Sequence, residues 1–410
     1  MYLRRIADDG QIRCLLTFDG RLDAARLARA VRLTLDAAPV LGCRFVERPW
    51  RPYWERCDDL DEIVFCRLVE AADPQSQLFQ FMATEMDPCA GPQVQAVLFR
   101  SERDTLCLKI SHLVADAGAT LDYLELLAAT YRQLGADPAY RPAPNLRGSR
   151  RPSQVLRFVG LRTLLRACLR FSYPRPTWNF PSSSRDCGPS FLIRRIAAES
   201  MAHIKAYSQQ RQVSVNDVLL TAFYRALFVL LDPRTGLPLP VTVSTNLRRY
   251  LPSGRAGGLC NLSGGLFPAT TRERGETFDE TLLRVHAAMA AAKAQRAELA
   301  QMLYLEGSFL LGLAVMRHIV QQDQVPQVAC YSTHPHFANL GIIAAERFNF
   351  VDATVTDVAL FGPLPYPPGF VFSVATFRGM MTLTTGFCST GDDGRTVERF
   401  FDLFVGELPP

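Results

Sequence analysis

The sequence predicts an α/β (α+β) protein built as two similar lobes. Two observations carry this expectation. Strand-like and helix-like segments alternate through both halves of the chain. At 410 residues the chain also exceeds what a single hydrophobic core usually organises. With 48% hydrophobic and 21% charged residues, the composition is that of a folded protein and excludes the disordered and fibrous classes.

The elements follow in order. "IRCLLTF", Ile12 to Phe18, reads as a buried strand, and Leu27, Val31, Thr34 and Leu35 then return at helical spacing until Pro39 stops them. "QLFQFMATEM" is helical, and "VQAVLFRSERDTLCLKIS" forms two strands, Val94 to Phe99 and Thr105 to Ile110, turning at Ser101 to Asp104. The second strand delivers His112. After it Leu121, Leu124, Ala128 and Tyr131 recur at steps of three and four, so a helix begins near Gly118.

From Ser149 to about Pro189 the chain is rich in Arg, Ser and Pro, which places the lobe boundary there: an N-terminal lobe 1–175 and a C-terminal lobe 176–410. "FLIRRIAAES" is a strand leading into a helix. "QVSVNDVLLTAFYRALFVLLD" is a buried helix with Ser214 as N-cap and Asp217 in its first turn, ending at Asp232-Pro233. A strand from Val241 to Thr245, a polar loop and a Gly-rich strand come next. Two helices follow, "TFDETLLRVHAAMAAAKAQ" and the stretch from Glu298 to Gln321. The strands "FNFVDATVTDVALF", "GFVFSVATF" and "MTLTTGFC" and a helix after Gly394 close the chain.

Charge and cysteine usage exclude several classes. A net charge of +5, with no basic run interleaved with aromatics, gives no nucleic-acid footprint. The 11 cysteines are an odd number without any Cys-x-x-Cys pair, and "MYLRRIADDG" has no signal-peptide character. A cytoplasmic monomer with free thiols, and neither zinc nor disulfides, is the expectation. No apolar run is long enough to cross a bilayer. One segment is locally basic: Arg147, Arg150, Arg151, Arg157, Arg162, Arg166, Arg170 and Arg175 occur with no acid among them. Folded as a helix, it would turn its Leu and Phe residues one way and offer its arginines to an acidic partner or anionic lipid, or serve only as a solvated connector.

No Gly-x-Ser-x-Gly elbow, phosphate-binding loop or dinucleotide fingerprint occurs. His334 and His336 have the spacing of a metal pair but no Asp, Glu or Cys nearby, and His203, His286 and His318 lie in expected helices. His112 has a different setting. It follows an apolar strand, precedes a helix N-terminus, and has Ala115, Ala117, Gly118 and Ala119 beside it, small enough for a substrate to approach. A neutral imidazole there can take a proton from an acceptor O–H or N–H. Asp116, four residues on, is spaced to brace the loop and needs a cationic partner if buried.

In this setting "SHLVADAGATLDYLELL" resembles the His-x-x-x-Asp-Gly motif of the CoA-dependent acyltransferase superfamily, which includes the condensation domains of nonribosomal peptide synthetases, chloramphenicol acetyltransferase and alcohol acyltransferases. "LTFDGRLDAARLARAVRLTLDAAPVLGCRF" is similar to the opening strand-helix-strand of that superfamily, and "SVNDVLLTAF" to the start of its second-lobe helix. "STNLRRYLPSGRAGGLCNLSG" and "FANLG" are similar to its Arg-Gly-Asn and Asn-x-Gly segments. The motifs occur in the family's order and span nearly the whole chain.

The resemblance implies two chloramphenicol-acetyltransferase-like lobes forming a V-shaped pseudo-dimer with a central tunnel. A thioester on CoA or on a carrier-protein phosphopantetheine would enter as donor substrate, with no tightly bound cofactor and no metal, and a small-molecule alcohol or amine as acceptor. His112 would be the general base. Asp116 would be structural, paired with Arg248, 13 residues before Asn261, or with Arg249. Ser111, Ala117, Gly118, Asn261, Ser263, Asn339 and Gly341 would line or shape the tunnel, and Arg147 to Arg175 would suit docking of an acidic carrier protein. A condensation-like module without catalysis, recruiting carrier proteins or tailoring enzymes, is the alternative. Three positions depart from the pattern: Ser111 replaces the first histidine of condensation domains, Ala117 replaces the Gly after the aspartate, and Phe337-Ala338 replace a hydroxyl residue before Asn339.

Overall fold

The computed structural model describes residues 7–70, 73–171, 174–175, 179–181, 188–318, 333–389 and 392–409. The chain start at 1–6, residues 176–178 and 182–187 of the expected boundary stretch, and residues 319–321 of the expected helix lie outside the described residues.

The first half contains β1 (Gln11–Phe18), α1 (Ala24–Ala37), a small hairpin of β2 (Cys43–Val46) and β3 (Tyr53–Arg56), β4 (Cys66–Glu70), α2 (Pro74–Ala83), β5 (Val94–Arg100), β6 (Asp104–Ser111) and α3 (Ala117–Ala136). The chain continues with α4 (Leu161–Arg170), β7 (Gly188–Ile196), α5 (Ala198–Gln210), α6 (Val215–Leu231), β8 (Leu239–Pro240), β9 (Thr242–Asn246), β10 (Ser263–Leu266), β11 (Ala269–Thr270), α7 (Phe278–Gln295) and α8 (Ala297–Phe309). It ends with β12 (His336–Ile343), β13 (Val355–Phe361), β14 (Val371–Phe377), β15 (Met380–Ser389) and the C-terminal helix Asp392–Gly406.

Two mixed sheets organise these elements. The first has the order β13-β1-β6-β5-β4 and the second β10-β9-β12-β14-β15-β7. Sequence halves and sheets do not coincide: β13 comes from late in the chain and pairs antiparallel with β1, Leu15 opposite Ala359. Strand alternation explains the layering. Ile12, Cys14, Leu16 and Phe18 of β1, with Leu106, Leu108 and Ile110 of β6, join α1 and α3 in one core. Leu15 and Cys107 point to the opposite face and meet Phe191 and Cys388 of the second sheet in another. Both faces of the first sheet are therefore covered, which is why its strands read as nearly continuous apolar runs.

The second sheet is packed by α6, α7 and the C-terminal helix around Phe223, Phe337, Phe372 and Phe400. Phe400 meets Phe372 edge-on at 5.4 Å, Phe223 is tilted against Phe337, and Phe337 stacks on Phe372. Caps set the helix starts. Ser214 and Asp217 form a reciprocal capping box on α6, and Thr277 and Glu280 form one on α7.

The helix expected from Glu298 to Gln321 is interrupted. α8 ends at Phe309, the chain turns at Leu310–Leu311, and helical backbone resumes over 313–318. Gly312 makes the break with φ +84°, and a Cβ there would come within 3.1 Å of the Trp50 ring. Side-chain periodicity continues across such a break, so the pattern alone reads as one helix. Among the described residues, no single helix is long and apolar enough to cross a membrane.

Candidate active site

His112 stands at the end of β6, where the strand leaves the sheet. Its backbone N–H donates to the Gly10 carbonyl at 2.8 Å, and the turn closes through Val114 and Ala115 N–H groups donating to the Ser111 carbonyl. The imidazole is part-buried, and its Nδ1 lies 2.8 Å from the Ala115 carbonyl oxygen. A carbonyl can only accept, so Nδ1 carries the proton and Nε2 is left with its lone pair. Among the described residues nothing hydrogen-bonds Nε2. Burial lowers the His112 pKa below the ordinary histidine value, and the Ala115 carbonyl offsets this in part. The neutral base is thus the form the site favours.

Asp116 does different work. It is buried and caps α3: Oδ1 accepts the Ala119 N–H at 2.7 Å. Oδ2 accepts from Arg248 Nη1 at 2.8 Å and from the Leu262 N–H at 2.6 Å. Three donors hold the carboxylate, and none of them comes from the imidazole. The histidine is oriented by a main-chain carbonyl while the aspartate ties β6, α3 and the loop before β10 together.

Arg248 reaches Asp116 from a single 3-10 turn, Leu247–Tyr250, whose start is held by Asn246 Oδ1 accepting the Arg248 N–H at 3.0 Å. The guanidinium also donates to the Cys260 carbonyl at 2.9 Å. Burial alone would lower its pKa, but Asp116 and Asp122 outweigh this and hold it raised. Arg249, next in sequence, points elsewhere, to Glu298 and to the Tyr250 hydroxyl at 3.0 Å. Gly118 lies directly beneath the pair; a Cβ there would come within 2.9 Å of Arg248 Nη1.

Asn261 closes the cluster on its other side. Its Nδ2 donates to the His112 carbonyl at 2.8 Å, and its Oδ1 accepts from the Ser263 N–H at 3.0 Å and hydroxyl at 2.6 Å. Ser111 is buried, opposite Gln11 on β1, with Oγ accepting weakly from the Leu113 N–H at 3.4 Å. Ala117 is the first residue of α3 and packs against the core. Asn339 and Gly341 are not hydrogen-bonded to this cluster. Asn339 donates to Asn216 Oδ1 at 3.2 Å and accepts the Gly341 N–H at 2.9 Å, on a bulge of β12 where Gly341 has φ +72°.

The paired histidines are engaged elsewhere. His336 Nε2 meets the Ser244 hydroxyl at 2.7 Å, and His334 Nε2 lies 2.9 Å from the Pro174 carbonyl. Among the described residues no group of three His, Cys, Asp or Glu side chains could hold a metal ion. Main-chain groups complete the cluster: the carbonyls of Gly10, Ala115 and Cys260 and the N–H of Leu262. Backbone donors and acceptors occur at every residue, so no sequence signal marks these four.

No family model matches the chain, and no curated protein matches it in sequence. Solved structures do match. The first condensation domain of the calcium-dependent antibiotic synthetase, in complex with a substrate analogue, superposes with a TM-score of 0.69 at 18% identity, over 100% of this chain and 94% of that one. Polyketide synthase associated protein 5 from Mycobacterium tuberculosis gives 0.64 at 12% identity, over 98% and 95%. The epimerization domain from the third module of tyrocidine synthetase B gives 0.63 at 13% identity, over 99% and 93%. The chain therefore shares the mixed α/β fold of these condensation and epimerization domains. A fold that also serves an epimerization domain leaves the reaction to be argued from the site.

Proposed function

We propose that the protein is an acyltransferase moving an acyl group from a thioester, on CoA or a carrier-borne phosphopantetheine, to a hydroxyl or amine of a small natural-product acceptor. One observation carries this reading: His112 presents a neutral, unpartnered Nε2 while Nδ1–H is committed to the Ala115 carbonyl. Nε2 takes the acceptor proton as the acceptor O or N attacks the thioester carbonyl. The tetrahedral oxyanion forms beside the first turn of α3, whose N-terminal amides favour negative charge. As the C–S bond breaks, Nε2–H returns the proton to the departing thiolate, so no net charge is left behind. Asp116 and Arg248 hold the loop in register and take no proton.

In the same reading the lobes are 1–175 and 176–410, arranged as a V-shaped pseudo-dimer. A tunnel between them reaches His112 past Ser111, Ala117, Gly118, Asn261, Ser263, Asn339 and Gly341. A thiol-release screen of acyl-CoA and acyl-carrier donors against alcohols and amines tests the proposal. Replacing His112 by Ala is expected to lower turnover by about 10²–10⁴-fold. If neither donor class is consumed, or if His112→Ala consumes thioester at the wild-type rate, the acyltransferase reading is wrong.

A further inference from the structure

α4 carries an apolar stripe on the side facing away from the protein. Only Ala167 of this helix is buried, with Leu164 partly so, both against the core that holds Leu299 and Ala300 of α8. Leu161, Leu165 and Leu169, at i, i+4 and i+8, stand outward at 81%, 59% and 77% exposed, and Phe158, just upstream, is 56% exposed. Each of these leucines is followed by an arginine: Arg162, Arg166 and Arg170, all exposed, with exposed Arg157 beside Phe158. One ridge thus presents a row of leucines and, about 100° further round, a row of guanidinium groups.

These arginines lack counter-charges. No Asp or Glu occurs from Arg147 to Phe171. Among the described residues Arg157, Arg162, Arg166 and Arg170 form no ion pair. Elsewhere on the surface some arginines are paired, as Arg26 with Asp352, Arg32 with Asp61, Arg195 with Asp357 and Arg211 with Asp279, while others such as Arg29, Arg67, Arg132 and Arg296 form no ion pair among the described residues. α4 differs in aligning its arginines beside exposed leucines. Exposed leucines beside unpaired arginines call for a partner that is apolar and anionic at once.

We propose that α4 seats the protein on an anionic bilayer surface, lying in the plane of the membrane. The leucines and Phe158 would enter the boundary between headgroups and acyl chains, and the arginines would extend to lipid phosphates on flexible stems. An acidic protein would satisfy the arginines but would need a complementary apolar groove for the leucine ridge. A bilayer supplies both environments to a convex helix without one. The proposal does not depend on the acyltransferase reading.

The test is cosedimentation of the full chain with phosphatidylcholine vesicles, with or without phosphatidylglycerol, at low and high salt. Binding to the mixed vesicles, little binding to phosphatidylcholine alone and weakening by salt are expected. Arg162→Glu/Arg166→Glu/Arg170→Glu should weaken binding about a hundredfold or more, from the loss of three basic residues near an anionic surface. Leu161→Asp/Leu165→Asp/Leu169→Asp should abolish it at every salt concentration. All six side chains are exposed, and unchanged thermal melting would show that both variants fold. The proposal is overturned if mixed vesicles leave the protein in the supernatant, if the leucine variant binds like wild type, or if an acidic carrier protein is bound through α4 while vesicles are not.

Discussion

At His112 the two ring nitrogens have separate tasks, and pH separates them experimentally. Burial favours the neutral ring, so the folded protein resists the proton that an unfolded chain accepts near pH 6.5. The acid limb of kcat/KM for thioester consumption should therefore lie below 6.5. A limb above that value would mean that another group titrates. The same sign applies to stability: as pH falls below 6.5 the unfolded state binds the proton first, and the contribution of His112 to stability declines until the folded ring also protonates. Asp116 calls for a different measurement. Replacing it by Ala strands the Arg248 charge in the interior and removes the α3 cap, at a cost of about 3–5 kcal/mol in urea unfolding. Asp116→Asn, which keeps a cap acceptor, should cost less.

The start of α3 shows how a helix terminus serves a site. Its cap residue is also the anchor for Arg248, and its second residue, Gly118, is the surface on which the guanidinium rests. In an ordinary helix, Gly to Ala stabilises by up to about 1 kcal/mol. Here the added methyl meets Arg248 Nη1 at 2.9 Å, so Gly118→Ala is expected to destabilise and to lower turnover. Urea titration beside an activity assay would reveal the reversed sign. Ala117, where the motif that the sequence resembles has Gly, meets no such obstacle because its side chain packs toward the core of α1 and α3. The extra carbon is absorbed there.

Across the whole molecule, charges between elements link distant parts of the chain. Arg347 bridges Asp122 and Glu125 of α3, and Glu125 also binds Arg255 from the loop before β10. Deeper inside, Arg13 on β1 and Lys109 on β6 sit opposite each other, both fully buried, on the sheet face away from α1 and α3. Arg13 pairs with Asp9, and Lys109 donates to the Thr84 carbonyl at 2.8 Å and hydroxyl at 2.6 Å. Burial, and then Arg13, push the Lys109 pKa down to about 8 from 10.5. Between these values the unfolded chain holds a proton that the folded one has released, so stability rises with pH. Wild type should gain on Lys109→Met from pH 8 to 10.5, by about 1–3 kcal/mol in denaturant titrations at each pH. A flat difference would show that Lys109 is not depressed.

Alternation of strand and helix patterns determined the mixed α/β class, because side-chain period is a local property that burial of one face imposes on the sequence. The strand before His112 and the helix after it were legible for the same reason, as was the Ser214 cap. Tertiary structure decided the rest. That β13 crosses to pair with β1 depends on hydrogen bonds between backbones, which every residue can make. That Arg248 turns to Asp116 while Arg249 turns to Glu298 depends on a single 3-10 turn that presents adjacent side chains in different directions. The tautomer of His112 depends on the Ala115 carbonyl, which has no side-chain signature. In α4 the residue pattern predicts an amphipathic helix, and only packing decides that Ala167 turns inward and the leucines outward. An amphipathic pattern defines two faces of a helix, and the surface it packs on decides which of them meets the solvent.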